Sequence, residues 1–206
     1  MQQLLKVYPA SQLSRAAHHV ADSSWQFSAL VGFLTELSSH GSSAATTLAM
    51  RLAWEAQCQA EPIAWVMGRG STFYPPDALT NGLDLEALAI VRVPDPQAIG
   101  KAVDCLVRSG AFGLVVIDLY SGVGFSERQL IRLQGLARKH GTALVFLTTK
   151  PESASSLGSL ISLRGQVYRK RLRPGIFACE LRTLKDKRHA PGWRHMEVCH
   201  GPAGLR

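Results

Sequence analysis

From residue 29 onward the chain alternates short unbroken apolar runs with amphipathic stretches of helical period. The apolar runs are Ala29–Leu37, Ile63–Met67, Leu88–Val93, Leu114–Asp118 and Ala143–Thr148. None alternates with polar residues, so each reads as a strand buried on both faces. Helical patterns lie between them. Residues 44–59 carry Leu48, Leu52 and Ala56 at spacings of four, and Gln97–Arg108 carries Ile99, Val103 and Leu106 on one face with Gly110 as its stop. Ser126-Glu127-Arg128-Gln129 is a capping box, opening a helix that runs to about His140 and closes at Gly141. Strands separated by helices of about 10–15 residues imply a parallel sheet covered on both faces, an α/β fold. The segment Gly68–Pro76 reads as a loop, its glycines and paired prolines excluding regular structure. From about residue 164 the helices stop. Arg164–Arg173, Gly175–Leu184 and Trp193–His200 follow one another as strands, an antiparallel C-terminal extension of the sheet. Residues 1–29 read as an N-terminal appendage with a helix at Ser11–Ala21, and residues 30–206 as a single core domain that includes the basic strands 164–200.

Composition narrows this picture. Hydrophobic residues make up 46% of the 206 and charged residues 18%, which excludes a disordered chain. No apolar run approaches the ~18 residues of a membrane span, and the start, Met1 to Pro9, lacks the charged-then-apolar pattern of a signal peptide. The expectation is a cytoplasmic protein. Cys58, Cys105, Cys179 and Cys199 have no C-x-x-C spacing and read as small buried hydrophobes. His18-His19 and His40 lack partner ligands for a metal, Ser42 and Ser43 lack a positioned base, and Trp25, Trp54 and Trp65 read as packing residues. No cofactor is expected.

A strand, a small-residue loop, a helix and a later apolar strand ending in Asp form the skeleton of a phosphate-loop fold, whose loop reads G-x-x-x-x-G-K-[ST]. The matching window here runs from Ser39 to Thr46. Only Thr46, the magnesium position, is kept. Ser39 and Ala44 replace the glycines, and Ala45 replaces the lysine that reaches the β- and γ-phosphates. Helix-terminal N–H groups and dipole contribute only about 1–2 kcal/mol per anionic group. The sequence thus predicts a degenerate nucleotide site and no ATP turnover. Asp118 reads as a strand-end residue that caps a helix or pairs with Thr46.

Glu36-Leu37, Ser42-Ser43, Thr46-Thr47-Leu48 and Asp118 after Leu114–Ile117 resemble the core of RecA recombinases, as do Arg164–Arg173 and Thr183–Trp193. Phe73–Leu79, Gly82-Leu83-Asp84, Leu88, Val91-Arg92 and Arg108–Ala111 resemble the RecA-like accessory proteins of the bacterial inducible mutagenesis cassette, the ImuA family. The resemblance covers Leu30 to the C-terminus. It implies a RecA-like fold and an accessory role in the SOS response to DNA damage. That role supports error-prone translesion synthesis through contacts with RecA and an inactive Y-family polymerase homologue, in a cytoplasmic, nucleoid-associated protein. Against active recombinases the chain departs at the chemistry. Arg69 stands at the catalytic glutamate position and Thr148-Thr149 at the Asn-Gln that senses nucleotide. The two DNA-facing loops are short: Leu119–Phe125 and Lys150–Ser156.

The net charge of +8 is concentrated in the tail. Arg164, Arg169, Lys170, Arg171, Arg173, Arg182, Lys185, Lys187, Arg188 and Arg194 fall within residues 164–194, opposed only by Glu180 and Asp186. Strand alternation would put Arg169, Arg171 and Arg173 on one face and Lys170 on the other. The candidate DNA- or partner-binding set is therefore Arg164, Arg169, Lys170, Arg171, Arg173, Lys185, Lys187 and Arg188. A solvated edge that discourages aggregation is the alternative for the same residues. Two further functional classes stay open at this point, a SulA-type division inhibitor and a DNA-dependent ATPase of the recombinase type.

Overall fold

Every residue of Ile63–Met67 (β2) and Leu114–Asp118 (β4) is buried, as expected of apolar strands covered on both faces, and so is every residue of Leu34–Ser39 (β1), although Thr35, Glu36, Ser38 and Ser39 are polar. The computed structural model describes residues 25–40, 44–68, 71, 73–119 and 123–200. Together with Leu88–Arg92 (β3), Ala143–Thr149 (β5), Leu163–Arg173 (β6), Ile176–Asp186 (β7) and Arg194–His200 (β8), these strands form one sheet in the order β3-β2-β4-β5-β1-β6-β7-β8. The first six strands are mutually parallel, while β6–β7 and β7–β8 pair antiparallel. This is an α/β fold with a mostly parallel sheet and an antiparallel C-terminal extension, consistent with a RecA-like arrangement.

Helices cover both faces of the parallel part. One face packs Leu37, Trp65, Val116 and Val145 against Leu48, Leu52 and Ala56 of the helix Ala45–Cys58 (α2). The short helix Phe27–Leu30 (α1) joins that cluster, so Trp25 and Phe27, assigned to the appendage by sequence, lie in the core. The other face packs Leu34, Val66, Ile117 and Phe146 against the helices Ile99–Ser109 (α4) and Glu127–His140 (α5). Burying a side chain such as Phe146 contributes about 1.5–3 kcal/mol.

Local signals explain most boundaries. Ser126 caps α5 with Gln129 in the predicted box, and Gly141 ends it at φ +67. Four expectations need correction. The first strand begins at Leu34, not at residue 29, because α1 and a turn with Gly32 at φ +78 intervene. The prolines Pro75 and Pro76 do not break structure. They occupy the first positions of a short helix, Pro75–Thr80 (α3), where proline costs no hydrogen bond. A 3-10 turn, Pro96–Ala98, precedes α4, and Val107 rather than Leu106 completes its buried face. Cys58 and Cys105 are exposed; only Cys179 is buried. The helix expected at Ser11–Ala21 lies outside the described residues. No helix among those described is long and apolar enough to cross a membrane.

Candidate functional site

The carboxyl ends of β1, β2, β4 and β5 open on one edge of the sheet, where open α/β sheets place their ligands. Ser39 pairs with Thr149 in register, and Met67 with Asp118. Ser39, Asp118 and Thr149 thus end neighbouring strands on this edge, and Ala44, Ala45 and Thr46 stand at the start of the helix that follows β1. Arg69, with Ser42 and Ser43, lies outside the described residues.

What these residues offer is mostly apolar or already engaged. Ala44 is the residue before α2 and has no side chain to cap it. Ala45 is fully buried, its methyl in the cluster that holds Leu48 and Trp65. Asp118 is 3% exposed and its carboxylate accepts a hydrogen bond from the Ser71 hydroxyl in the loop after β2. That hydroxyl in turn accepts from the Phe73 amide at 3.3 Å.

Beside this edge lies a buried polar layer that the sequence reading passed over. Glu36, in the middle of β1, has a fully buried side chain. Its carboxylate accepts from the Thr148 hydroxyl at 2.8 Å and from the Leu157 amide at 2.8 Å, and it pairs with the Lys150 ammonium at 2.5 Å. Ser38 and Gln166 bond to each other at 2.7 Å in the same layer. The legible signal was a glutamate inside an otherwise uncharged buried strand, since such a charge must be paired.

The loop between β5 and β6, expected as the second DNA-facing loop, is tied down over this layer. Arg164 is 4% exposed, not on the surface. Its guanidinium donates to the Ser38 hydroxyl at 3.2 Å, to the Pro151 carbonyl at 3.0 Å and to the Ala154 carbonyl. Burial pushes that guanidinium below the ordinary arginine value, opposed by Glu36 and Glu152. The Lys185 ammonium donates to the Ser159 carbonyl at 3.2 Å, and burial, then Lys187, lower its pKa. Lys187 donates to the same carbonyl at 2.6 Å. Tyr168 donates to the Glu152 carboxylate at 2.6 Å. Gly158 lies so close to Leu130 of α5 that a methyl there would overlap it.

The basic set thus divides. Arg164, Lys185 and Lys187 hold the loop. Arg188 donates to the Ala29 carbonyl and sits 4.9 Å over the Phe33 ring, fastening α1 to the sheet. Arg164, Lys185 and Arg188 are turned at least partly inward, so the basic residues do not form the one continuous surface expected from the sequence; Lys187, although bonded to the loop, stays exposed. Arg169, Lys170, Arg171 and Arg173 are exposed at the far end of the β6–β7 hairpin, around an exposed Leu172. A register shift between Arg171 and Arg173 sets Arg173 opposite Ile176, whereas Arg171 is opposite Phe177. The bulge moves Arg173 to the face of Lys170, so the tip carries two cations on each face rather than three and one. Arg169 lies 4.9 Å over the Phe177 ring. The nearest carboxylate along β7, Glu180, is held by Arg182 at 3.0 Å and Arg194 at 3.3 Å, and the Arg182 hydrogen bond lowers its pKa.

No protein-family model and no curated protein matches the chain. Among the described residues no group of three or more His, Cys, Asp or Glu could hold a metal ion.

Proposed function

We propose that this protein is a non-catalytic RecA-like accessory factor of the DNA-damage (SOS) response. It supports error-prone translesion synthesis by binding RecA and an inactive Y-family polymerase homologue, in the cytoplasm and close to the nucleoid. One observation carries the reading: in a sheet consistent with the RecA-like arrangement, the phosphate-loop lysine position is Ala45, and its methyl fills the core instead of reaching a ligand. The pinned β5–β6 loop supports it too, since a loop whose carbonyls and amides are already bonded has little left for a DNA strand.

The contact surface in this reading is the hairpin tip, Arg169, Lys170, Arg171 and Arg173 around Leu172. Its mixture of cations and an exposed apolar side chain suits an acidic protein surface. Direct DNA contact is the second reading of the same tip, favoured by the four exposed cations. Stacking aromatics for a single strand are few there, because Phe177 is already covered by Arg169.

The test replaces all four cations with glutamate. Binding to purified RecA and to the polymerase homologue is measured by interferometry, and damage-induced mutation frequency in cells. Loss of both supports the reading; unchanged binding to both partners refutes it. Filamentous, undivided cells on overexpression, with no change in mutation frequency, point to a division inhibitor instead. ATP turnover that disappears in Asp118→Asn points to an ATPase.

A further inference from the structure

β8 is the last strand of the sheet, and among the described residues no strand pairs with its outer side. The Thr183 amide donates to the Trp193 carbonyl, and from there β7 and β8 pair without a register shift, Glu180 opposite Met196 and Ala178 opposite Val198. Along an antiparallel ladder, successive residues turn their backbone groups alternately toward and away from the partner. His195, Glu197 and Cys199 therefore bond to β7, while the N–H and C=O groups of Met196 and Val198 point away from the sheet. The strand carries none of the proline, lysine or bulge that commonly blunts a free edge. The side chains of the same two residues are 56% and 49% exposed. They share a sheet face with Ala178 and Ile176, and none of the four belongs to either core cluster. Backbone groups and apolar side chains thus stand open together at one corner of the molecule.

We propose that this edge is a docking site for an extended acidic segment of another protein, which adds antiparallel to β8 as a further strand. Charge selects the occupant. Lys170 stands beside Ala178 and Arg173 beside Ile176, and Arg182 faces Arg194 across the β7–β8 ladder, all on the face of Met196 and Val198. The carboxylates that reach this face are already engaged: Glu180 by Arg182 at 3.0 Å and Arg194 at 3.3 Å, and Glu152 by the Tyr168 hydroxyl at 2.6 Å. A second copy pairing β8 to β8 would bring these cations against their own kind. The chain's own terminal segments lack the charge as well. Residues 1–24 hold Lys6 and Arg15 against Asp22, and residues 201–206 hold Arg206 with no acidic residue. A foreign strand instead bonds to the free backbone groups of Met196 and Val198, and every second side chain of it lies over the open face. Apolar side chains there cover Met196 and Val198, and carboxylates at either end meet Arg194 and the Arg173–His200 corner. The site stands whether or not the partner is RecA or a polymerase homologue.

The experiment adds the end-blocked peptide Glu-Thr-Val-Thr-Val-Thr-Glu, which matches the seven-residue length of β8, to the full chain. Calorimetry follows binding, and hydrogen exchange follows the backbone amides. Exchange at Met196 and Val198 should slow on binding, while His195 and Glu197, whose amides already bond to β7, change little. Methylating the two valine nitrogens of the peptide removes the donors that face β8 and should weaken binding at least about tenfold, as should lysine in place of both glutamates. Val198→Pro deletes an outward N–H and no bond to β7, and should weaken the unmodified peptide by about the same factor. Absence of binding, equal binding of the lysine or N-methyl peptide, or protection that spares Met196 and Val198 overturns the site. A dimer in sedimentation that Val198→Pro dissolves overturns it in favour of a second copy. Because the N-methyl and lysine peptides are tested on the unaltered chain, a misfolded Val198→Pro variant does not spare the proposal.

Discussion

Glu36 is the residue whose replacement reads out the polar layer most directly. Glu36→Leu keeps an apolar side chain of similar reach in a fully buried position and removes every acceptor. The Leu157 amide and Thr148 hydroxyl, each bonded at 2.8 Å, lose their partner, and Lys150 loses its 2.5 Å ion pair. Breaking a buried ion pair by removing one partner costs about 3–5 kcal/mol. Lys150 lies at the rim with 19% of its side chain exposed and a second acceptor at the Ser155 carbonyl, so it can turn to water. The effect should therefore fall at the lower end, near ~3 kcal/mol. Glu36→Gln keeps the shape and one oxygen acceptor, and should cost nearer ~1.5 kcal/mol, the lower end for a hydrogen bond to a charged group. Urea unfolding measures both, and hydrogen exchange locates the loss. The amides of residues 150–162 should exchange much faster in Glu36→Leu while those of β2 and β4 change only with global stability. A variant of native stability, or one whose loop exchanges no faster than the central strands, would refute the pinning of the loop by Glu36.

Other outcomes follow from the same geometry. If the hairpin tip contacts DNA through its four cations, affinity should fall with a log–log salt slope of about −2.8 on single strands, at ~0.7 per phosphate, which Arg169→Ala with Arg171→Ala should roughly halve; an unchanged slope removes DNA from this surface. Ala45→Lys should destabilise by about 1–3 kcal/mol from overpacking alone, without gaining thermal stabilisation by magnesium–ATP; a stabilising response to nucleotide would show that the lysine can still reach the loop. Burial raises the Asp186 carboxyl, but hydrogen bonds from the Arg188 amide, the Trp193 indole and His189 outweigh it and hold it below the usual carboxylate value. Its contribution is therefore complete above the unfolded value of ~3.9 and lost as pH falls through the lower folded one. Asp186→Asn should flatten the fall of Tm with acid across that window, measured by calorimetry. Ser126→Ala should cost about 1 kcal/mol, through loss of the α5 cap.

Much of the fold was legible without coordinates. Ile63–Met67 and Leu114–Asp118 match their predicted limits, because an apolar run flanked by turn residues has one economical use in a sheet covered on both faces. The α5 box was legible because Ser126 and Gln129 act on their own backbone, three residues apart. That Ser39, Ala44 and Ala45 stand at the glycine and lysine offsets of the phosphate-loop pattern was equally readable, since it is a matter of residue identity alone.

The distribution of the basic residues was not readable, and there the tertiary structure decided. Arg164 and Arg169 both belong to the Arg-rich strand β6, yet one is buried against Ser38 and the other projects past the sheet. Nothing local separates them. The difference arises because β6 pairs with β1 only through its first half, where the returning β5–β6 loop supplies carbonyls for a cation to satisfy. Likewise a single register shift after Arg171 moved Arg173 across the sheet, and a strand cannot announce its partner's register. The sequence by itself determined which residues are charged and where most of the strands and helices lie. Only the packing of distant segments determined which charges are consumed in holding the fold and which remain for a partner, since that depends on acceptors contributed from elsewhere in the chain.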